Sequence, residues 1–196
     1  MDIKGDDYLI RNFILVLTFI LFITPCTFAA DMTIYEDNDY HFKFSYPSDW
    51  KVHQYKIENI SVTGLSPLRK DPLNSSIPTF EVDVQNYPIK NIDEVFSSQS
   101  VNKLIKDFQE DPLSKKISVD VIVADYFVTH LKDKKAIFIK ATILMPYLSN
   151  SKFVEERYVI FHNSNRYDIS FCGTLDDLNN NRKIMEQILN SFEFSK

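Results

Sequence analysis

The stretch Tyr40-His41-Phe42-Lys43-Phe44-Ser45-Tyr46-Pro47-Ser48-Asp49-Trp50-Lys51-Val52 constrains this chain more than any other. Tyr40, Phe42, Phe44 and Tyr46 alternate with His41, Lys43 and Ser45, which is the period of a strand with one buried face. Pro47-Ser48-Asp49 then breaks the run, because proline presets φ for a turn and the Ser and Asp side chains bond nearby amides. Trp50, the single tryptophan, and Val52 return to the same apolar side. The pattern predicts a hairpin with Tyr46 opposite Trp50 and a second arm running to about Lys56. Trp50 is expected in the core.

The N-terminal residues read as a targeting segment. Phe13 to Ile23 is uncharged and almost wholly apolar, Thr24-Pro25 ends the run, and Thr27-Phe28-Ala29 offers a small-residue cleavage triplet. Cleavage after Ala29 divides the chain into a signal peptide, 1–29, and a domain, 30–196. The apolar stretch is shorter than the about 20 residues of a membrane span. Asp2, Asp6 and Asp7 offset Lys4 and Arg11, so a start further downstream and an uncleaved anchor are the competing readings. Pro25 before Cys26 weighs against lipidation. The expectation is export, to a periplasm or beyond.

Taking Lys4, Arg11 and the three aspartates from 22 basic and 27 acidic residues leaves a net charge of −4. That balance supplies no basic field for nucleic acid or an anionic membrane. About 167 residues suffice for one domain with a sizeable core. Cys172 is the one cysteine past the cleavage point, so apolar packing must hold the domain without a disulfide.

Along the chain, Met32 to Tyr35 predicts a first strand, Ile60 to Leu65 a third after the hairpin, and Thr79 to Tyr87 another. Between them Pro67, Pro72 and Pro78 mark Ser66 to Pro78 as a loop. Asn91 with Glu94 starts a helix that carries an apolar stripe through Phe108, with a drift near Ser97-Ser100, and stops at Asp111-Pro112. Strands follow over Ile117 to Leu131 (broken near Asp125), Lys135 to Met145, Phe153 to Asn163 and Arg166 to Cys172. Their short polar turns make them antiparallel. Thr174 caps a last helix with Leu178, Ile184, Met185, Ile188, Leu189 and Phe192 on one stripe. The order predicts an α+β domain: one antiparallel sheet of six to seven strands on which two helices dock.

Chemistry is sparse. Gly64 and Gly173 are the glycines of the domain, so no phosphate cradle, dinucleotide fingerprint or nucleophile elbow can be written. Of His41, His53, His130 and His162, none has a second histidine or cysteine at helical ligand spacing. If Tyr46 pairs with Trp50, His41 and His53 share an outer face on a diagonal and, with a carboxylate, could hold a metal; two solvated histidines are the favoured alternative. Cys172 with His162 or His130 would be a nucleophile pair, but its apolar neighbours Ile169 and Phe171 favour a small buried hydrophobe. Glu155-Glu156 reads as a solvated strand face, Asp176-Asp177 as a helix N-terminus and Lys132 to Lys135 as a charged turn. No catalytic residue, metal ligand or cofactor is assigned.

The aromatic strand leading into Tyr46-Pro47-Ser48-Asp49-Trp50-Lys51-Val52, with the ending Ile188-Leu189-Asn190-Ser191-Phe192, resembles the PsbP-like family over roughly Tyr35 to Phe194. The resemblance implies a three-layer α/β/α sandwich with an antiparallel sheet. Relatives of that fold include an extrinsic photosystem II subunit, a nuclear-transport factor and bacterial envelope proteins of the DcrB type. They share binding or assembly roles and no catalytic motif, so no functional residue carries over. Where the family commonly has a glycine before its long central strand, this chain reads Lys132-Asp133-Lys134-Lys135. The functional expectation is an exported, non-enzymatic domain that binds a protein partner or supports an envelope complex. The alternative is a small-molecule or lipid carrier with an apolar pocket.

Overall fold

The computed structural model describes residues 31–67, 79–89, 91–110, 119–145 and 151–195. The segment up to Ala29, most of the proline-rich loop and the Asp111-Pro112 stop lie outside the described residues. Strands β1 (Met32–Asp37), β2 (Phe42–Pro47) and β10 (Glu193–Phe194) form a small antiparallel sheet in the order β1-β2-β10. A second, seven-stranded antiparallel sheet comprises β3 (Trp50–Ile57), β4 (Ile60–Pro67), β5 (Thr79–Asn86), β6 (Asp120–Leu131), β7 (Lys134–Met145), β8 (Ser151–His162) and β9 (Asn165–Gly173). Its order is β3-β4-β5-β9-β8-β7-β6. The α+β class stands, but the expected single sheet is two.

The predicted hairpin is the reason. β2 and β3 do not pair: β1 takes one edge of β2 in the register Tyr35↔Phe44, and β10 takes the other at Lys43 and Phe42. Ser191 Oγ accepts from the Ser45 amide at 2.8 Å, filling that edge further along. The Pro47-Ser48-Asp49 turn is tied to the start of β1 by Ser48 N donating to the Asp31 carbonyl at 2.8 Å, and it hands the chain to the other sheet. There Trp50 pairs with Pro67. Burial is nonetheless as the alternation requires: Phe42, Phe44 and Trp50 are all in one core cluster. The strand begins at Phe42; Tyr40 and His41 belong to the preceding turn.

Three helices accompany the sheets: α1 (Ile92–Val95), α2 (Ser98–Gln109) and α3 (Leu175–Ser191). The expected first helix is interrupted at the drift in its stripe, where Ser97 caps α2 by accepting from Ser100 N. Thr174 and Asp177 form a reciprocal capping box on α3. Strand alternation sorts the large sheet into two faces. On one face Phe80, Val82, Tyr167, Ile169 and Ile160 meet Leu178, Met185 and Ile188 of α3 and the rings of β2. On the other, Ile137, Ile139 and Val159 meet Val101 and Ile105 of α2. A register shift between Val123 and Asp125 bulges β6 at the predicted break. Lys132 has φ 54 in the β6–β7 turn, in the left-handed region that favours glycine.

Candidate functional site

The histidines are scattered. His41 sits at φ 55 in the β1–β2 turn, whereas His53 lies on β3 opposite Gly64, so the diagonal pair that a hairpin would have made does not exist. Among the described residues no three His, Cys, Asp or Glu side chains are placed to hold a metal ion. Cys172 pairs with Glu155 across β8–β9, while His162 pairs with Asn165 seven residues away. At about 3.3 Å per residue they are some 23 Å apart along the strand. Burial, then the Glu155 and Glu81 carboxylates, push the Cys172 thiol up to about 12, so it is no thiolate nucleophile. His130 is on β6, three strands from β9.

Glu155 and Glu156 are not a solvated face. Both are buried and point to opposite sides of the sheet. Glu156 takes a two-armed bond from Arg182 of α3, at 2.5 and 3.1 Å, and pairs with Lys140 at 3.3 Å. These outweigh its burial and hold its carboxyl below the ordinary range. Glu155 accepts from Arg157 Nε at 2.5 Å, and Arg157 reaches Asp168 at 2.8 Å, which also pairs with Arg166. Asp168 is pushed up by burial but held down further by Arg166 and Arg157. The Arg157 guanidinium lies over the Phe108 ring of α2 at 4.7 Å.

Next to this ionic cluster on the same face are Glu81 and Asp83 of β5. Burial pushes Asp83 up to about 7; Arg157 opposes this, and the Asp168, Glu81 and Glu155 carboxylates add to it. Its Oδ1 is buried without a hydrogen-bond partner among the described residues. An acid near neutrality is suited to proton transfer, but it needs substrate access, and Asp83 lines neither of the two clefts described next. The sequence signal for it was the Glu81-Val82-Asp83 alternation, which reads equally as a solvated face.

One cleft of about 620 Å³ opens where three turns meet, with Leu131, Ile160, Phe192 and Phe194 as apolar surface and His41 and His162 at its edges. Its charges are matched internally: Lys132 pairs with Glu193 at 3.7 Å, and Lys134 with Asp133 at 3.1 Å. The His162 ring packs on Phe194 at 4.4 Å; burial, then Lys134, hold it below the usual imidazole range. A second cleft of about 410 Å³ lies between β8, β9 and the α1–α2 segment, lined by Tyr87, Leu104, Phe161 and Arg166.

The remaining feature is a surface. At the β6 end of the large sheet, on the α3 side, Phe127, Phe138 and Tyr158 form a cross-strand ladder with centroids 5.0 and 5.1 Å apart. Phe127 is 48% exposed and Ile122, on the same side of β6, 51%. The strands were legible in the sequence; which rings stay uncovered depends on where α3 lands.

Two antiparallel sheets with helices against both faces of the larger one make this a PsbP-like fold. No family model matches the chain, and no curated protein matches its sequence. It is similar to the solution structure of cyanobacterial PsbP (CyanoP) from Synechocystis sp. PCC 6803, with TM-score 0.61 and 10% identity over 88% of this chain and 98% of that one. It is also similar to LpqN, involved in cell envelope biogenesis of Mycobacterium tuberculosis, with TM-score 0.55 and 11% identity over 85% and 91% of the two chains. A third likeness is to a crystal structure from Bacteroides thetaiotaomicron VPI-5482, with TM-score 0.52 and 11% identity over 83% of this chain and 48% of that one. At such identities the likeness is one of fold.

Proposed function

We propose that this is an exported, non-catalytic domain that docks a protein partner of the cell envelope through the aromatic face of β6–β8. The observation that carries the reading is the Phe127–Phe138–Tyr158 ladder with Ile122, an apolar surface that α3 leaves uncovered at the β6 end of the large sheet. Aromatic rings of this kind are enriched at the centres of protein interfaces. The apolar run from Phe13 to Ile23 and the fold likeness to an envelope-biogenesis protein support export. The placing of α2 and α3 against opposite faces supports a three-layer arrangement, with the small sheet sharing the α3 layer. The isolation of Asp83 from both clefts and of Cys172 from His162 and His130 supports a role without catalysis.

Co-purification from the native envelope fraction tests this. A stoichiometric protein should accompany the wild-type chain and be lost in Ile122→Lys with the melting temperature unchanged. Retention of every co-purifying protein by that variant would refute the assignment of the face. The carrier alternative rests on the apolar floor of the three-turn cleft; lipid extracted from purified protein in equimolar amount would favour it instead.

A further inference from the structure

We infer that β6 is also a dimerisation edge, on which a second copy of the chain pairs antiparallel about Phe127. The inference deepens the docking reading above and rests on the same face. β6 ends the large sheet, and its outer edge takes no strand among the described residues. Natural edges are blunted by lysine, proline or bulges. The opposite edge, β3, is guarded by exposed Lys51 and Lys56. In β6 the bulge at Val123/Asp125 interrupts the first half only, and Asp125-Tyr126-Phe127-Val128-Thr129-His130-Leu131 follows with no lysine, arginine or proline.

This segment is self-complementary. Pairing must keep each side chain on its own face, so the register moves in steps that bring residues of like orientation together. With Phe127 opposite Phe127 of the second copy, Tyr126 meets Val128 and Asp125 meets Thr129. These are the three consecutive apolar residues that the fold leaves exposed, at 41, 48 and 42% for Tyr126, Phe127 and Val128. Opposed side chains on antiparallel strands approach to about 4.5–5.5 Å between Cβ atoms, close enough to cover one another. The neighbouring registers fail chemically. Centring on Tyr126 sets Asp125 against Phe127, centring on Val128 sets it against Leu131, and centring on Asp125 opposes two carboxylates. A twofold axis perpendicular to the sheet also keeps Phe127 on the α3 side. The two ladders then run end to end as one ribbon of six rings, doubling the surface offered to an envelope partner.

Sedimentation velocity tests the inference on protein expressed from its full sequence and purified from the compartment where it accumulates. The wild-type chain should form a dimer, and Phe127→Lys, an exposed edge substitution, should raise the dissociation constant at least about tenfold without lowering the melting temperature. The register is tested separately by disulfide formation in a background carrying Cys26→Ser and Cys172→Ala. Tyr126→Cys and Val128→Cys should cross-link when mixed, and neither should cross-link by itself. A wild-type monomer at about 100 µM, a dimer that survives Phe127→Lys, or cross-linking of the single variants without the mixture overturns the inference. An envelope protein captured by a monomeric chain would leave docking standing and remove the dimer. A dimer with the expected cross-link and no captured protein would do the reverse.

Discussion

Replacing Asp83 with asparagine should stabilise the domain at neutral pH and flatten its pH dependence. The folded carboxyl is pushed up to about 7 from an ordinary 3.8, burial being the first cause, so the folded chain keeps a proton that the unfolded chain releases. Between about pH 4 and 7 the native state therefore binds more protons, and stability falls as pH rises through that window. At about 1.36 kcal/mol per unit, the full penalty above pH 7 is on the order of 4 kcal/mol. Asparagine carries no charge to desolvate, and its amide can donate to the surrounding carboxylates. Glu81, also pushed up by burial and by Glu155, acts with the same sign and leaves a residual slope in the variant. Asp168 acts in the opposite sense: its carboxyl is held below the ordinary range, so its contribution is present at neutral pH and lost only in acid. The two windows are thus separable. Urea unfolding at half-unit steps from pH 4.5 to 8 is the assay. The wild-type curve should rise toward acid, and the Asp83→Asn curve should exceed it by a few kcal/mol at pH 8, a gap that should shrink to about 1 kcal/mol near pH 4.5. Parallel curves, or a variant less stable at pH 8, would refute the assignment of an uncompensated buried acid.

Trp50→Ala should cost about 3–5 kcal/mol, because Trp50 is 7% exposed within the core cluster. Blue-shifted native emission and a large fall in unfolding midpoint check it, whereas solvent-exposed emission with unchanged stability contradicts it. Thr174→Ala removes the half of the α3 capping box in which Thr174 Oγ1 accepts from Asp177 N, together with the hydroxyl's own bond to Asp177 Oδ2, leaves the Thr174 N bond to Asp177 Oδ2, and should cost about 1 kcal/mol in denaturant unfolding; Thr174→Ser should restore most of it. Intact mass after native expression should show a chain beginning at Ala30, and a full-length membrane-held product would mean an anchor.

Ionic and aromatic residues differed in how much of their setting the sequence disclosed. Glu155 and Glu156 look alike in sequence, yet each lies buried against a different arginine, because Arg157 comes from the same strand and Arg182 from a helix 26 residues away. Burial of a charge depends on distant partners, which periodicity does not register. The exposed ladder at Phe127 was hidden for the complementary reason. An alternating aromatic marks a strand face, and only the docking position of α3 decides which part of that face stays bare.

The sequence by itself determined most elements. Alternation, proline and short polar turns marked nine strands, the Asp125 break and the Thr174 cap, since these depend on contacts within a few residues. It also marked which side chains enter the core: Phe42, Phe44 and Trp50 are buried as their spacing requires. Tertiary structure decided who pairs with whom. β2 and β3 are joined by a turn that suits a hairpin, yet β2 pairs with β1 and with the two residues of β10 at the far end of the chain. A strand's apolar face specifies that it must be covered. Its hydrogen-bonding edges are chemically the same for every candidate neighbour, so the choice falls to whichever pairing lets the most rings share one core. Here that arrangement stacks Phe192 on Phe42 at 5.6 Å and sets the Phe194 and Tyr167 rings edge to face, closing the small sheet over the large one.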